Sequence, residues 1–118
     1  MSNHTITDAI FAHRAWVARF QTTLKGINTE VFDLSKARDD GACELGHWLN
    51  ADAETCLVAE SLLRIASMHK AFHEVAWEIA VMFQQYRSRE DINAYMIEFN
   101  NLSKQLVALL TQAKRNHE

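Results

Sequence analysis

Three stretches of the chain place apolar residues at alternating spacings of four and three, and that rhythm restricts the fold more than any other feature. From Ile6 the series runs Ile10, His13, Val17, Phe20, Leu24, Ile27. A second runs Val58, Leu62, Ile65, His69, Phe72, Ala76, Ile79, Phe83, Tyr86, and a third Ile92, Tyr95, Phe99, Leu102, Leu106, Leu109, Ala113. This spacing lines each series up on one stripe of an α-helix, so it predicts three long amphipathic helices packed on one another. With 0 Pro and 3 Gly, the chain lacks the turn residues that a β-sandwich or barrel requires. The predicted class is all-α.

Local signals bound these helices. Asn3 or Thr5 caps the first, with Asp8 three residues beyond Thr5, and Gly26 with Asn28 marks its end. Asp52 is a candidate cap for the second, and Ser88-Arg-Glu-Asp91 is a capping box opening the third. The polar stretch QQYRSRED between the last two is short, which makes them antiparallel neighbours. Residues 28–52 break the periodicity and hold two of the three glycines, Gly41 and Gly46. Within them CELGHWLN fits a short helix of about two turns, with Cys43 at its start and Leu45, Trp48 and Leu49 turned inward. No linker or repeat divides the chain, so residues 1–118 are expected to form one domain. The expected architecture is an antiparallel four-helix bundle of three long helices and one short helix bearing Cys43.

Charge and composition exclude several function classes. The net charge is -3 and the 12 Lys+Arg are scattered, so there is no basic stripe for nucleic acid. No run approaches the roughly 18 apolar residues of a membrane span, and MSNHTITD lacks the layout of a secretion signal. A cytoplasmic location follows as the expectation. Cys43 and Cys56 are too far apart for a CxxC redox pair, and in a reducing compartment they read as free thiols or metal ligands rather than a structural disulfide.

The seams contain two apparent errors. His13 and His69 occupy positions that should be apolar, and His73 follows His69 at i+4, on the same helix face. An isolated HxxxH reads more readily as one core histidine with a satisfied hydrogen bond and one surface histidine. A buried imidazole without a partner costs about 1 to 3 kcal/mol, however, so two on apolar seams ask for a shared explanation. A metal supplies one, with His13, Cys43, His69 and His73 as candidate ligands from three segments. A set of one thiolate and three imidazoles suits Zn2+ and not calcium or magnesium, although ligand type alone also admits iron(II) or copper(II). None of the seams carries the inward Glu of a carboxylate-bridged di-iron bundle.

The pattern His13-x-x-Trp16, Cys43-x-Leu45-Gly46-x-Trp48 and His69-x-x-x-His73 resembles the chemoreceptor zinc-binding domain family, CZB. The resemblance implies that His13, Cys43, His69 and His73 are the four zinc ligands, and that Gly46 and Trp48 are structural members of the short helix. It further implies a bacterial cytoplasmic sensor domain of helical-bundle fold, of the kind found on soluble chemoreceptors and diguanylate cyclases or standing alone. In the cyclases, bound zinc holds the partner domain inactive; in the chemoreceptors, the zinc-bound cysteine is implicated in sensing hypochlorous acid. The chain departs from the family at His47, where Lys or Arg is common, and its 118 residues hold no output domain.

Oxidant chemistry is plausible from the residues themselves, because a zinc-bound cysteine is a thiolate and thiolates are oxidised first to sulfenic acid. Asp39 and Asp40 are candidates to hydrogen-bond a ligand histidine or the oxidised sulfur, or else form a solvated acidic turn. Trp16, Trp48, Trp77 and Phe72 read as packing, Cys56 as a small buried hydrophobe, and His4 and His117 as terminal residues. The function expected is that of a zinc-dependent sensory or regulatory module, not an enzyme. It would act on a chemoreceptor or diguanylate cyclase and form a homodimer through the outer helix faces. The competing readings are a zinc hydrolase with three histidines and a water on the metal, and a purely structural zinc bundle.

Overall fold

The computed structural model describes residues 5–25, 37–39, 41, 43–51, 53, 57–85 and 89–117. Four helices account for most of them: α1 (Ile6–Leu24), α2 (Glu44–Ala51), α3 (Ala59–Gln84) and α4 (Arg89–His117). No strand occurs among the described residues. The protein is the all-α four-helix bundle of three long helices and one short one. Its dimensions, 45 × 27 × 18 Å, follow from α4, whose 29 residues span roughly 43 Å at about 1.5 Å each.

The N-terminus of α1 is held by the capping box expected there. Asp8 N donates to Thr5 Oγ1 at 3.2 Å, and Thr5 N donates to Asp8 Oδ2 at 3.2 Å. Helix α3 begins later than expected, with Val58 as its N-cap and no side-chain cap. Val58 is 71% exposed and therefore lies off the core seam, while Asp52 falls outside the described residues. Gly26, Asn28, Tyr86 and Ser88 also fall outside them.

Two clusters fill the core. One joins Ile6 and Ala9 of α1, Leu45 and Trp48 of α2, Ile65 of α3, and Leu106, Leu110 and Ala113 of α4. The other joins Trp16 and Phe20 of α1, Phe72, Ala76 and Ile79 of α3, and Phe99 of α4. The order of these residues along each chain segment makes α1 and α3 run one way and α4 the other. Burial in these clusters is the main force holding the helices together, at about 25 cal/mol per Å² of apolar surface.

Between the two clusters lies a polar layer. On α1 it falls between Ala9 and Trp16, at His13, and on α3 between Ile65 and Phe72, at His69. Cys43 packs against both clusters at once. The inward stripe of α4 differs from the expected one. Phe99, Leu106, Leu110 and Ala113 are buried, whereas Leu102 and Leu109 are only half-buried and Tyr95 is 40% exposed. A second stripe, Phe99, Ser103, Leu106, Leu110, Ala113, again spaced by fours and threes, shares the inward face, with Ser103 half-buried like Leu102 and Leu109, which pack against the clusters. Ser103 is its member in the polar layer.

Candidate metal centre

Burial of three histidines in an otherwise apolar interior demands compensation. His13, His69 and His73 are 2%, 1% and 1% exposed, and Cys43 is half-buried beside them. The regular turn of α3 places His69 and His73 on one face, with Nε2 atoms 3.0 Å apart. Cys43 Sγ lies 3.2 Å from His69 Nε2 and 3.5 Å from His73 Nε2. Three ligand atoms from α3 and the start of α2 therefore form a compact triangle.

The edges of that triangle match a metal of zinc's size. Tetrahedral zinc with bonds of about 2.3 Å to sulfur and about 2.05 Å to nitrogen sets S···N edges near ~3.5 Å and N···N edges near ~3.3 Å. The observed edges fall within about 0.4 Å of these values. One thiolate and two imidazoles are a soft to borderline donor set, which favours zinc over oxygen-seeking cations.

Two of the three, His73 and Cys43, are aimed by a second contact. His73 Nδ1 donates to the carbonyl of Ala37 at 2.8 Å, which in the neutral ring leaves the Nε2 lone pair directed at the triangle. Ala37 is itself fully buried, and the adjacent Arg38 Nε sits 3.3 Å from Glu74 Oε1. Cys43 immediately precedes α2. Its carbonyl accepts from His47 N at 3.0 Å and its Sγ accepts from Gly46 N at 3.3 Å, so the sulfur caps the helix. A negative sulfur is favoured at this end by the helix dipole. Around the histidines the aromatic residues form a wall: Trp16 stands 4.8 Å from His73, and Phe72 stands 4.8 Å from His13, between ring centroids.

Burial holds His13 and His69 neutral, the form a metal needs. His69 is lowered to about 3 and His13 to about 4, by desolvation first and then by the charges of neighbouring groups. For His69 those neighbours are His73 and His13; for His13 they are His73 and Arg14.

Not every candidate joins the triangle. His13 lies in the same layer and against Phe72, but its Nε2 is bonded to Ser103 Oγ at 2.8 Å and it is not one of the three clustered ligands. Asp39 is exposed and uses Oδ1 to accept from Gly41 N at 3.1 Å, so the histidine partner expected of a carboxylate is instead the Ala37 carbonyl. His47 is exposed on α2 and outside the triangle. Asp40 and Cys56 fall outside the described residues. Trp16 and Trp48 are buried and Trp77 half-buried in the apolar clusters, as packing residues. An open groove of about 470 Å³ lies between α1 and α2, lined by Phe11, Ala12, Ala15, Glu44 and Trp48 among others; none of the candidate ligands borders it.

Fold and site together define an all-α bundle with an internal Cys/His group able to hold a metal ion. The chain belongs to the chemoreceptor zinc-binding domain family, CZB, which it matches over residues 13–80, a span that begins at His13 and takes in Cys43, His69 and His73. No curated protein and no solved structure matches the chain.

Two residues of the site were not foreseen from sequence, Ala37 and Ser103. A backbone carbonyl leaves no trace in residue type. Ser103 does leave one, because the alternative four-three phase of α4 passes through it.

Proposed function

We propose that this protein is a zinc-binding sensory or regulatory domain in which His13, Cys43, His69 and His73 hold one zinc ion. The observation that carries this reading is the convergence of Cys43 Sγ and the two Nε2 atoms at edges of 3.2, 3.5 and 3.0 Å in a buried layer. His13 supplies the fourth ligand from α1, a side-chain movement away from its present bond. The signal is zinc availability, an oxidant, or both in turn. Hypochlorous acid would take two electrons from the thiolate, R–S⁻ + HOCl → R–SOH + Cl⁻, leaving a sulfenic acid that is a poor zinc ligand. The capping role of the same sulfur would carry that loss to α2. Control of a chemoreceptor or diguanylate cyclase in the cytoplasm, and dimerisation through the outer helix faces, belong to this proposal. No helix of the described residues is long and apolar enough to cross a membrane.

Cobalt substitution tests the centre. The cobalt-loaded protein should show an intense sulfur-to-metal charge-transfer band that disappears in Cys43→Ala. A wild-type spectrum without that band would overturn the thiolate site and favour a hydrolytic metal held by histidines and water. One equivalent of hypochlorous acid should release zinc to a colorimetric indicator; retention of the metal would refute the oxidant response.

A further inference from the structure

Each of the four helices contributes a polar group to the layer between the two apolar clusters: His13 from α1, Cys43 at the head of α2, His69 and His73 from α3, and Ser103 from α4. Ser103 is the one with no metal-binding chemistry in the expected set, and it faces inward where Leu would have completed an apolar stripe. Its hydroxyl is 2.8 Å from His13 Nε2, a part-buried bond joining helices ninety positions apart in sequence. The one imidazole nitrogen cannot serve a hydroxyl and a metal at once.

Geometry makes the two partners exclusive for the whole ring. The three clustered ligand atoms lie within 4.8 Å of one another, and neither nitrogen of His13 is close enough to all of them to join. Reaching the ~3.3 to 3.5 Å edges of a tetrahedral zinc site requires the ring to shift by an ångström or more, and a hydrogen bond is largely lost when stretched that far. Gln21 Nε2 of α1 also donates to Asn100 Oδ1 of α4, at 3.1 Å and exposed. Water competes for an exposed bond, so of these two contacts the one at His13 is the stronger.

We propose that Ser103 is a positioning residue that competes with zinc for His13, so that capture of the metal by His13 breaks the part-buried α1–α4 hydrogen bond. This rests on His13 being the fourth ligand. Zinc occupancy is then read out at α4, the last helix, as loss of its tie to α1, and the hydroxyl sets how tightly the site holds its metal. By reciprocity, anything that strengthens the α1–α4 contact weakens zinc binding by the same factor.

The test is zinc affinity, measured by competition with a chromophoric chelator, for the wild-type chain and for Ser103→Ala, Ser103→Thr, His13→Ala and the Ser103→Ala/His13→Ala pair. Removing a competing neutral hydrogen bond should tighten zinc about fivefold in Ser103→Ala. Ser103→Thr, which keeps the hydroxyl, should return toward the wild-type value, and the effect of Ser103→Ala should vanish when His13 is already Ala. In ¹⁵N spectra of the imidazoles, Ser103→Ala should move the His13 Nε2 signal before zinc is added, and zinc should then bring both proteins to the same metal-bound position. If Ser103→Ala weakens zinc or leaves it unchanged while His13→Ala weakens it, competition is refuted and the four-ligand reading stands. Should His13→Ala bind zinc as tightly as the wild type, His13 is not a ligand and both ideas fall.

Discussion

The backbone N–H of Gly46 donates to Cys43 Sγ at 3.3 Å, so the sulfur that approaches His69 and His73 also terminates α2. The contacts to both histidines and the helix cap meet in one atom. Whatever happens chemically to that sulfur is felt by the short helix, whose Leu45 and Trp48 are packed into the core.

The two roles of Cys43 should separate by substitution. Serine is a strong N-cap and poor zinc ligand, whereas alanine is neither; loss of a cap costs about 1 kcal/mol. Cys43→Ser should therefore abolish tight zinc binding while, in chelator, unfolding in urea close to the wild-type midpoint. Cys43→Ala should lose the metal and about 1 kcal/mol besides. Equal midpoints for the two variants would count against the capping role.

Acid should destabilise the chelated protein through its buried histidines. His13 and His69 are lowered in the folded chain to about 4 and about 3 from an ordinary 6.5, because burial penalises the charged ring. The unfolded chain therefore binds more protons as pH falls below 6.5. Their contribution to stability is complete above that value and declines toward pH 4, by up to about 1.4 kcal/mol per pH unit for each histidine. Urea titrations in chelator at pH 7.5, 6 and 5 would show it. A midpoint unchanged between pH 6.5 and 5 would contradict the burial of neutral rings.

Ala37 governs His73 through its carbonyl. Valine at this fully buried position adds two methyl groups against the second apolar cluster, costing about 1 to 3 kcal/mol. It should also displace the acceptor of His73 Nδ1 and weaken zinc by about 10- to 100-fold. Arg38→Ala provides the contrast: its ion pair with Glu74 is 61% and 44% exposed, and such pairs contribute at most about 1 kcal/mol. Zinc affinity should be nearly unaffected by it.

Phe72 ties the site to the core. The ring is fully buried, 4.8 Å from His13, 5.2 Å from His73 and 4.7 Å from Phe99 between centroids. Phe72→Ala should cost about 3 to 5 kcal/mol, with Phe72→Leu costing much less because most of the volume is kept. Calorimetric melting of both variants separates a packing role, in which stability tracks volume, from any specific need for an aromatic ring against His13.

The helices and the polar interruption of their seams were legible in sequence because both are periodic. A stripe spaced by fours and threes marks the buried face wherever it occurs, and His13 and His69 stand out as its polar members. The capping box at Thr5 and Asp8 could likewise be read residue by residue, since it depends on neighbours three positions apart. The start of α3 could not: Val58 shares the apolar character of the seam, yet serves as an exposed N-cap.

For α4 the periodicity admitted two phases. Phe99, Leu106 and Ala113 belong to both, and the choice between Leu102 with Leu109 and Ser103 with Leu110 depends on which side faces the other helices. Tertiary packing buried Leu110 fully and left Leu102, Ser103 and Leu109 half-buried, with the Ser103 hydroxyl bonded to His13. The same is true of Ala37, whose carbonyl is made a partner of His73 by the path of the chain alone. Sequence by itself determined that two helical seams carry a histidine, a candidate metal ligand, where an apolar residue belongs, because residue type and helical period suffice for that. Which candidate ligand is aimed by which neighbour, and that His13 is bonded to Ser103, only the tertiary structure decided, since these contacts join residues distant in the chain.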